Sequence, residues 1–108
     1  MPDLKALSRQ YVAAFHEKDV AAVAALLAED FVLVDPTGRF EGKPRVLTYL
    51  REIFADGATL DFRALNIFED GTVTVIEFAL QIGGKQLVGT DVIEWQGGQM
   101  RALRAYLY

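Results

Sequence analysis

Cysteine is absent from this 108-residue chain and histidine occurs once, as His16. Without thiols there is no disulfide and no thiolate nucleophile, and a lone imidazole cannot build a multi-histidine zinc site or serve a nucleophile scheme that needs a second one. No metal or other cofactor is expected. Long apolar runs are missing too: the longest, residues 20–28, is too short to span a bilayer. The opening Met-Pro-Asp-Leu-Lys has neither the basic region nor the apolar run of a signal peptide. A cytoplasmic protein with no membrane partner is expected. Positive charge is also scarce, with 11 Lys+Arg against 15 Asp+Glu, a net charge of −4 and no basic cluster. That balance gives no footprint for a phosphate backbone, so nucleic acid is not an expected partner.

What the chain has in quantity is apolar surface: 52% of its residues are hydrophobic and its mean hydropathy is +0.18. The length allows one domain, residues 1–108, with one core. A core that small cannot hide so much apolar area, which points to a lined pocket, a subunit interface, or both.

Leu4, Leu7, Tyr11, Ala14 and Phe15 recur at helical spacing and predict a first helix over residues 3–18. Asp19 can cap a second over 20–28. The run from Phe31 to Asp35 predicts a short strand closed by the turn Pro36-Thr37-Gly38, with residues 39–41 pairing back. Gly42-Lys43-Pro44 opens a third helix with the stripe Val46, Tyr49, Leu50, Ile53 and Phe54, stopped by Asp56-Gly57. Asp70-Gly71, Gly83-Gly84 and Gly97-Gly98 are hairpin signals separating four strands, 59–69, 72–82, 85–96 and 99–108. The order describes an α+β domain: three N-terminal helices packed against a strongly bent, mostly antiparallel sheet that curls into a cone with an apolar interior. In the 72–82 strand the apolar phase flips around Glu77, which predicts a bulge there.

Strand parity singles out polar residues on apolar faces. Leu87, Gly89, Asp91, Ile93 and Trp95 share a face on which Asp91 carries the only charge, and Asp35 shares one with Phe31 and Leu33. Tyr11 lies on the inner stripe of the first helix. Each also has a plain structural reading: Asp35 as a turn opener bonding nearby backbone, Tyr11 as a core tyrosine, and Asp91 as the ion-pair partner of Arg104. That pair follows if Gly97-Gly98 makes a strict two-residue turn; a bulge there shifts the register by one and removes it. His16 reads as a solvated side chain at a helix end, and Lys43 and Arg45 as surface charges. Val88 and Val92, among polar neighbours on the opposite face, suit a homodimer interface.

The run Arg9-Gln10-Tyr11-Val12-Ala13-Ala14, then Asp19, Asp35-Pro36-x-Gly38 and Thr90-Asp91, resembles ketosteroid isomerase and its SnoaL-like relatives of the NTF2-like fold. The resemblance extends over nearly the whole chain, with Tyr11 and Asp35 spaced as in the family. It implies that Tyr11 is an oxyanion donor, Asp35 the general base and Asp91 a protonated second donor. The implied activity is allylic isomerisation, or proton abstraction next to the carbonyl, on a small apolar ketone. Phe15, Leu50, Phe54, Phe78, Leu87 and Trp95 are the expected pocket lining. Leu50 stands where those isomerases carry a tyrosine behind the oxyanion donor, with Tyr49 one place away. The alternatives are a SnoaL-like small-molecule-binding protein without turnover, or a related hydratase, hydrolase or cyclase; for the hydrolase, Asp61-Phe62-Arg63 offers the right residue types in a different order. A protein-interaction role, which needs an exposed apolar patch that the even-numbered face of the sheet could supply, is the remaining one.

Overall fold

The computed structural model describes residues 2–55, 57 and 59–108. Helix α1 (Leu4–His16) is capped by Asp3, whose carboxylate accepts the Ala6 N–H at 3.1 Å. It buries Leu4, Ser8, Tyr11 and Ala14. It stops two residues short of the expected end, because Lys18 takes a left-handed conformation at φ 56° and turns the chain. Helix α2 (Val20–Leu26) begins at Asp19, which accepts the Ala22 N–H at 3.0 Å. The sequence predicts α2 through residue 28, but it ends at Leu26. Leu27 is extended, nearly fully buried, and paired with Met100, so sheet pairing overrides local helix preference.

Strand β1 (Leu27–Asp35) is therefore longer than expected and turns through Pro36-Thr37 into β2 (Gly38–Glu41), with Asp35 opposite Gly38. Helix α3 (Lys43–Phe54) carries Pro44 in its first turn, where a missing N–H costs nothing, and buries Val46 and Leu50. Asp56 of the expected stop signal lies outside the described residues. Four strands complete the chain: β3 (Leu60–Asp70), β4 (Val73–Ile82), β5 (Lys85–Gln96) and β6 (Gln99–Leu107). Both glycines of Gly83-Gly84 and of Gly97-Gly98 have positive φ, as primed two-residue turns require.

The result is an α+β domain with three helices and an open six-stranded mixed sheet in the order β2-β1-β6-β5-β4-β3. Only the β1–β6 pairing is parallel. Helix α1 packs on β3 and β4, and α3 on β1, so the helices cover one face of the sheet. Among the described residues, no helix is long and apolar enough to cross a membrane.

The register shifts at three places among the described residues: between Leu27 and Val32 in the β1–β6 pairing, and at two bulges that set the facing of the antiparallel strands. The one expected in β4 lies instead in its neighbour: Ala64 opposes Phe78 and Asn66 opposes Glu77, which leaves Leu65 of β3 as the extra residue. β4 itself runs unbroken against β5, with Thr74, Ile76 and Phe78 buried and Glu77 outward, accepting from Asn66 Nδ2 at 3.0 Å. Its phase flip arises because the outward row, with Val73 and Val75, is itself partly apolar. The second bulge is in β6. The Gly97-Gly98 turn is strict, since Gln96 faces Gln99 and Trp95 faces Met100, but Glu94 then faces Ala102 and Arg101 is left over. Beyond it Asp91 lies opposite Ala105, not Arg104.

β5 and β6 also pack too closely for any side chain at Gly89. A Cβ there would sit 2.2 Å from the Tyr106 carbonyl oxygen and 2.8 Å from Phe78 Cζ. Gly89→Ala should therefore cost about 1–3 kcal/mol and lower the melting temperature by at least about 4 °C. An unchanged thermal transition would contradict this close approach.

Candidate active site

Tyr11 reaches the interior from the middle of α1. Its ring lies 6.0 Å from Phe15 and 6.2 Å from Phe62, edge-on to the latter. Around it Val23, Leu27, Phe31, Leu33, Val46, Leu50 and Leu103 leave a space of about 20 Å³, room for a single water. Burial, and secondarily the charge of Asp91, push the Tyr11 phenol well above its ordinary pKa. It is thus a proton-bearing donor at any physiological pH.

Asp91 enters from β5 on the inward row and is 4% exposed. Burial alone pushes its carboxyl from 3.8 to about 7, because an apolar setting disfavours the charged form. Arg104 does not offset this: it lies opposite Val92 on the outward face and pairs with Glu94. Asp91 and Tyr11 are near enough to couple electrostatically, which makes them a buried pair of acids that both favour the neutral form.

Asp35 ends β1. Continuing the Leu33–Leu103 and Val34–Arg104 register by one step sets Asp35 beside Ala105, whose other neighbour is Asp91. The two acids thus flank one small side chain on the helix-covered face, with their backbones two strand spacings, about 10 Å, apart. Asp35 follows Leu33, which lines the space beside Tyr11, by two residues on the same face of β1. Its hydrogen bonds are local to the β1–β2 turn and α3: Oδ1 accepts the Thr37 N–H at 2.8 Å and the Thr37 hydroxyl at 2.6 Å, and Oδ2 accepts the Tyr49 hydroxyl at 2.7 Å. The turn-opener reading of Asp35 is thus present in the structure.

Of the six expected lining residues, only Leu50 borders the space beside Tyr11. Phe15 packs edge-on against Phe54 at 5.1 Å and tilted against Phe62 at 4.8 Å, and Phe62 meets Phe78 at 5.1 Å, so these rings form an aromatic cluster beside Tyr11 and do not border that space. Leu87 sits opposite Leu80 toward the β4–β5 turn. Trp95 is committed to structure: its indole N–H donates to Thr74 Oγ1 at 2.8 Å, which also accepts the Ser8 hydroxyl at 2.8 Å.

Sequence reasoning missed three polar contacts. His16 is not simply solvated: its Nδ1 accepts the Phe62 N–H at 3.1 Å and lies 3.7 Å from Asp61. Tyr49 and Thr37 gave no signal beyond an apolar helix stripe and a turn, so their convergence on Asp35 appears only when α3 meets the β1–β2 turn. Asp61 and Arg63, 3.8 Å apart on the outward row of β3, take no part in the chamber. Among the described residues, no group of three or more His, Cys, Asp or Glu is placed to hold a metal ion.

The fold is an open, mostly antiparallel six-stranded sheet covered on one face by three helices, with Tyr11 and Asp91 buried between the layers. The SnoaL-like domain family matches residues 8–103, and the chain belongs to that family. No functionally characterised sequence matches it. Among solved structures, an NTF2-like protein of unknown function from Cytophaga hutchinsonii superposes with TM-score 0.87 at 18% identity, over 100% of this chain and 92% of that one. A protein provisionally named ketosteroid isomerase from Kribbella flavida gives 0.85 at 24% identity, over 95% and 76%. An LEH-like epoxide hydrolase from M. tuberculosis gives 0.81 at 26% identity, over 94% and 80%.

The raised Asp91 has a stability consequence. Unfolded, it releases its proton near 3.8; folded, it does so near 7. Between those values the folded state binds more protons, so stability falls as pH rises, by about 4 kcal/mol once the window is crossed. Urea denaturation should show Asp91→Asn gaining on wild type by about that amount between pH values of about 4 and 8. A difference that stays constant with pH would contradict it.

Proposed function

We propose that the chain is a ketosteroid-isomerase-like enzyme that moves a proton next to the carbonyl of a small apolar ketone. The carrying observation is the buried Tyr11–Asp91 pair, two proton-bearing oxygens in an apolar chamber. In this reading the substrate carbonyl accepts hydrogen bonds from the Tyr11 hydroxyl and the Asp91 carboxyl. Both are in place before charge develops, so the enolate oxygen is stabilised without reorganisation of solvent. Asp35 removes a proton from the carbon beside the carbonyl and returns it two carbons further along, which brings the double bond into conjugation and regenerates the base. The balance closes with no co-reactant. In this reading the space of about 20 Å³ beside Tyr11 widens for a ketone to reach the donors. Membership of the SnoaL-like family supports a second reading, a binding protein that holds an apolar ligand without turning it over.

The test is conversion of cyclohex-3-en-1-one to its conjugated isomer, followed by absorbance. Wild type should turn over, Tyr11→Phe and Asp35→Asn should each lose about 100-fold or more, and the wild-type rate should fall as pH rises through about 7 while Asp91→Asn stays flat across that range. Equal rates in wild type and both variants would eliminate the isomerase reading. Ketone binding with no turnover would establish the second.

The sheet's outward face supports a homodimer in the same proposal. Phe68, Val88 and Tyr106 are about half exposed there, apolar surface that a two-fold copy of the same face would cover. Sedimentation at micromolar concentration should give twice the 12.0 kDa chain mass. Val88→Glu should shift it to the monomer, and a 12.0 kDa species alone in wild type overturns the dimer.

A further inference from the structure

We infer that Tyr49 is a positioning residue that aims one oxygen of Asp35, Oδ2, into the chamber. The inference rests on the proposed role of Asp35 as base and adds a residue that this role does not assign. A carboxylate offers about four lone-pair sites. Thr37 takes two on Oδ1, through its N–H at 2.8 Å and its hydroxyl at 2.6 Å, and Tyr49 takes one on Oδ2 at 2.7 Å. One site stays open, and it is on Oδ2. The two oxygens thus divide the work: Oδ1 is bound into the turn, and Oδ2 is the one able to receive a proton.

The holders come from different elements, which is what makes the aim definite. Thr37 belongs to the β1–β2 turn and moves with Asp35. Tyr49 comes from α3, 14 residues along the chain from Asp35, so its hydroxyl ties the carboxylate plane to the helix layer. The phenol cannot readily swing away. Its ring stacks on Phe40 at 4.1 Å and 14°, and the Arg45 guanidinium lies 5.3 Å from the Phe40 centroid on the same small cluster. Phe40 in turn opposes Leu33, a residue of the chamber wall. Each hydroxyl has one proton, and the Thr37 and Tyr49 protons both serve Asp35. The 3.1 Å approach of those two hydroxyls to each other follows from sharing a target.

Tyr49→Phe keeps the ring stack and removes only the oxygen, so it separates aim from packing. Two readouts on wild type, Asp35→Asn and Tyr49→Phe test it. In the cyclohex-3-en-1-one assay, Tyr49→Phe should lower kcat about 10- to 100-fold with KM unchanged and thermal stability near wild type. An unaltered kcat, in a protein whose Asp35→Asn variant is inactive, overturns the inference while leaving Asp35 as base. The second readout needs no turnover: the assigned 13Cγ resonance of Asp35 should move in Tyr49→Phe at neutral pH, and an unmoved resonance overturns it as well. Full activity in Asp35→Asn defeats the base role itself, and with it the working oxygen.

Discussion

One surplus residue in β6 decides what this interior is. Because side chains alternate along a strand, a register shift of one changes which residues meet across a ladder. Arg101, left unpaired at the bulge, moves Ala105 opposite Asp91 and Arg104 opposite Val92. In the strict register, Asp91 would meet a guanidinium on the same face and remain an ordinary ionised partner. In the observed one, Arg104 pairs with Glu94 on the outside, and Asp91 is left among apolar neighbours with a methyl group beside it. The raised affinity of Asp91 for its proton and its coupling to Tyr11 both descend from that shift.

Hydrophobic packing is non-directional, so the placement of a buried phenol such as Tyr11 needs fixed points. Helix α1 obtains them from hydrogen bonds on either side of Tyr11. One turn before, the Ser8 hydroxyl is bound to Thr74 Oγ1, which also receives the Trp95 indole, so α1, β4 and β5 are joined through one buried oxygen. At the helix end, His16 Nδ1 receives the Phe62 N–H of β3. Trp95, expected in the pocket, thus has a different use: it fixes the platform from which Tyr11 projects.

The architecture was largely legible because its signals are local. Asp19 caps α2, Pro44 opens α3, and the paired glycines at 83–84 and 97–98 set their turns in isolation. Parity alone put Asp91 and Asp35 on inward rows. What escaped was relational. A bulge depends on how two strands fit, so Glu77 gave a signal whose cause was Leu65 on the neighbouring strand. The end of α2 depended on Leu27 finding Met100. Tyr49 was read as part of an apolar stripe because its hydroxyl acquires a partner only where two elements meet, and the extent of the chamber was hidden for the same reason.

The donor pair also bears on why the chamber is so nearly filled. A neutral acid near Tyr11 persists only while water is excluded, since solvation of Asp91 would return it toward 3.8. The aliphatic side chains and Phe31 around Tyr11 leave only about 20 Å³, and Phe15, Phe54, Phe62 and Phe78 pack as a cluster beside it. Burial of Asp91 therefore lowers stability as pH rises from about 4 toward 7 and keeps the carboxyl protonated over the same range; both effects have one cause, the removal of the group from water.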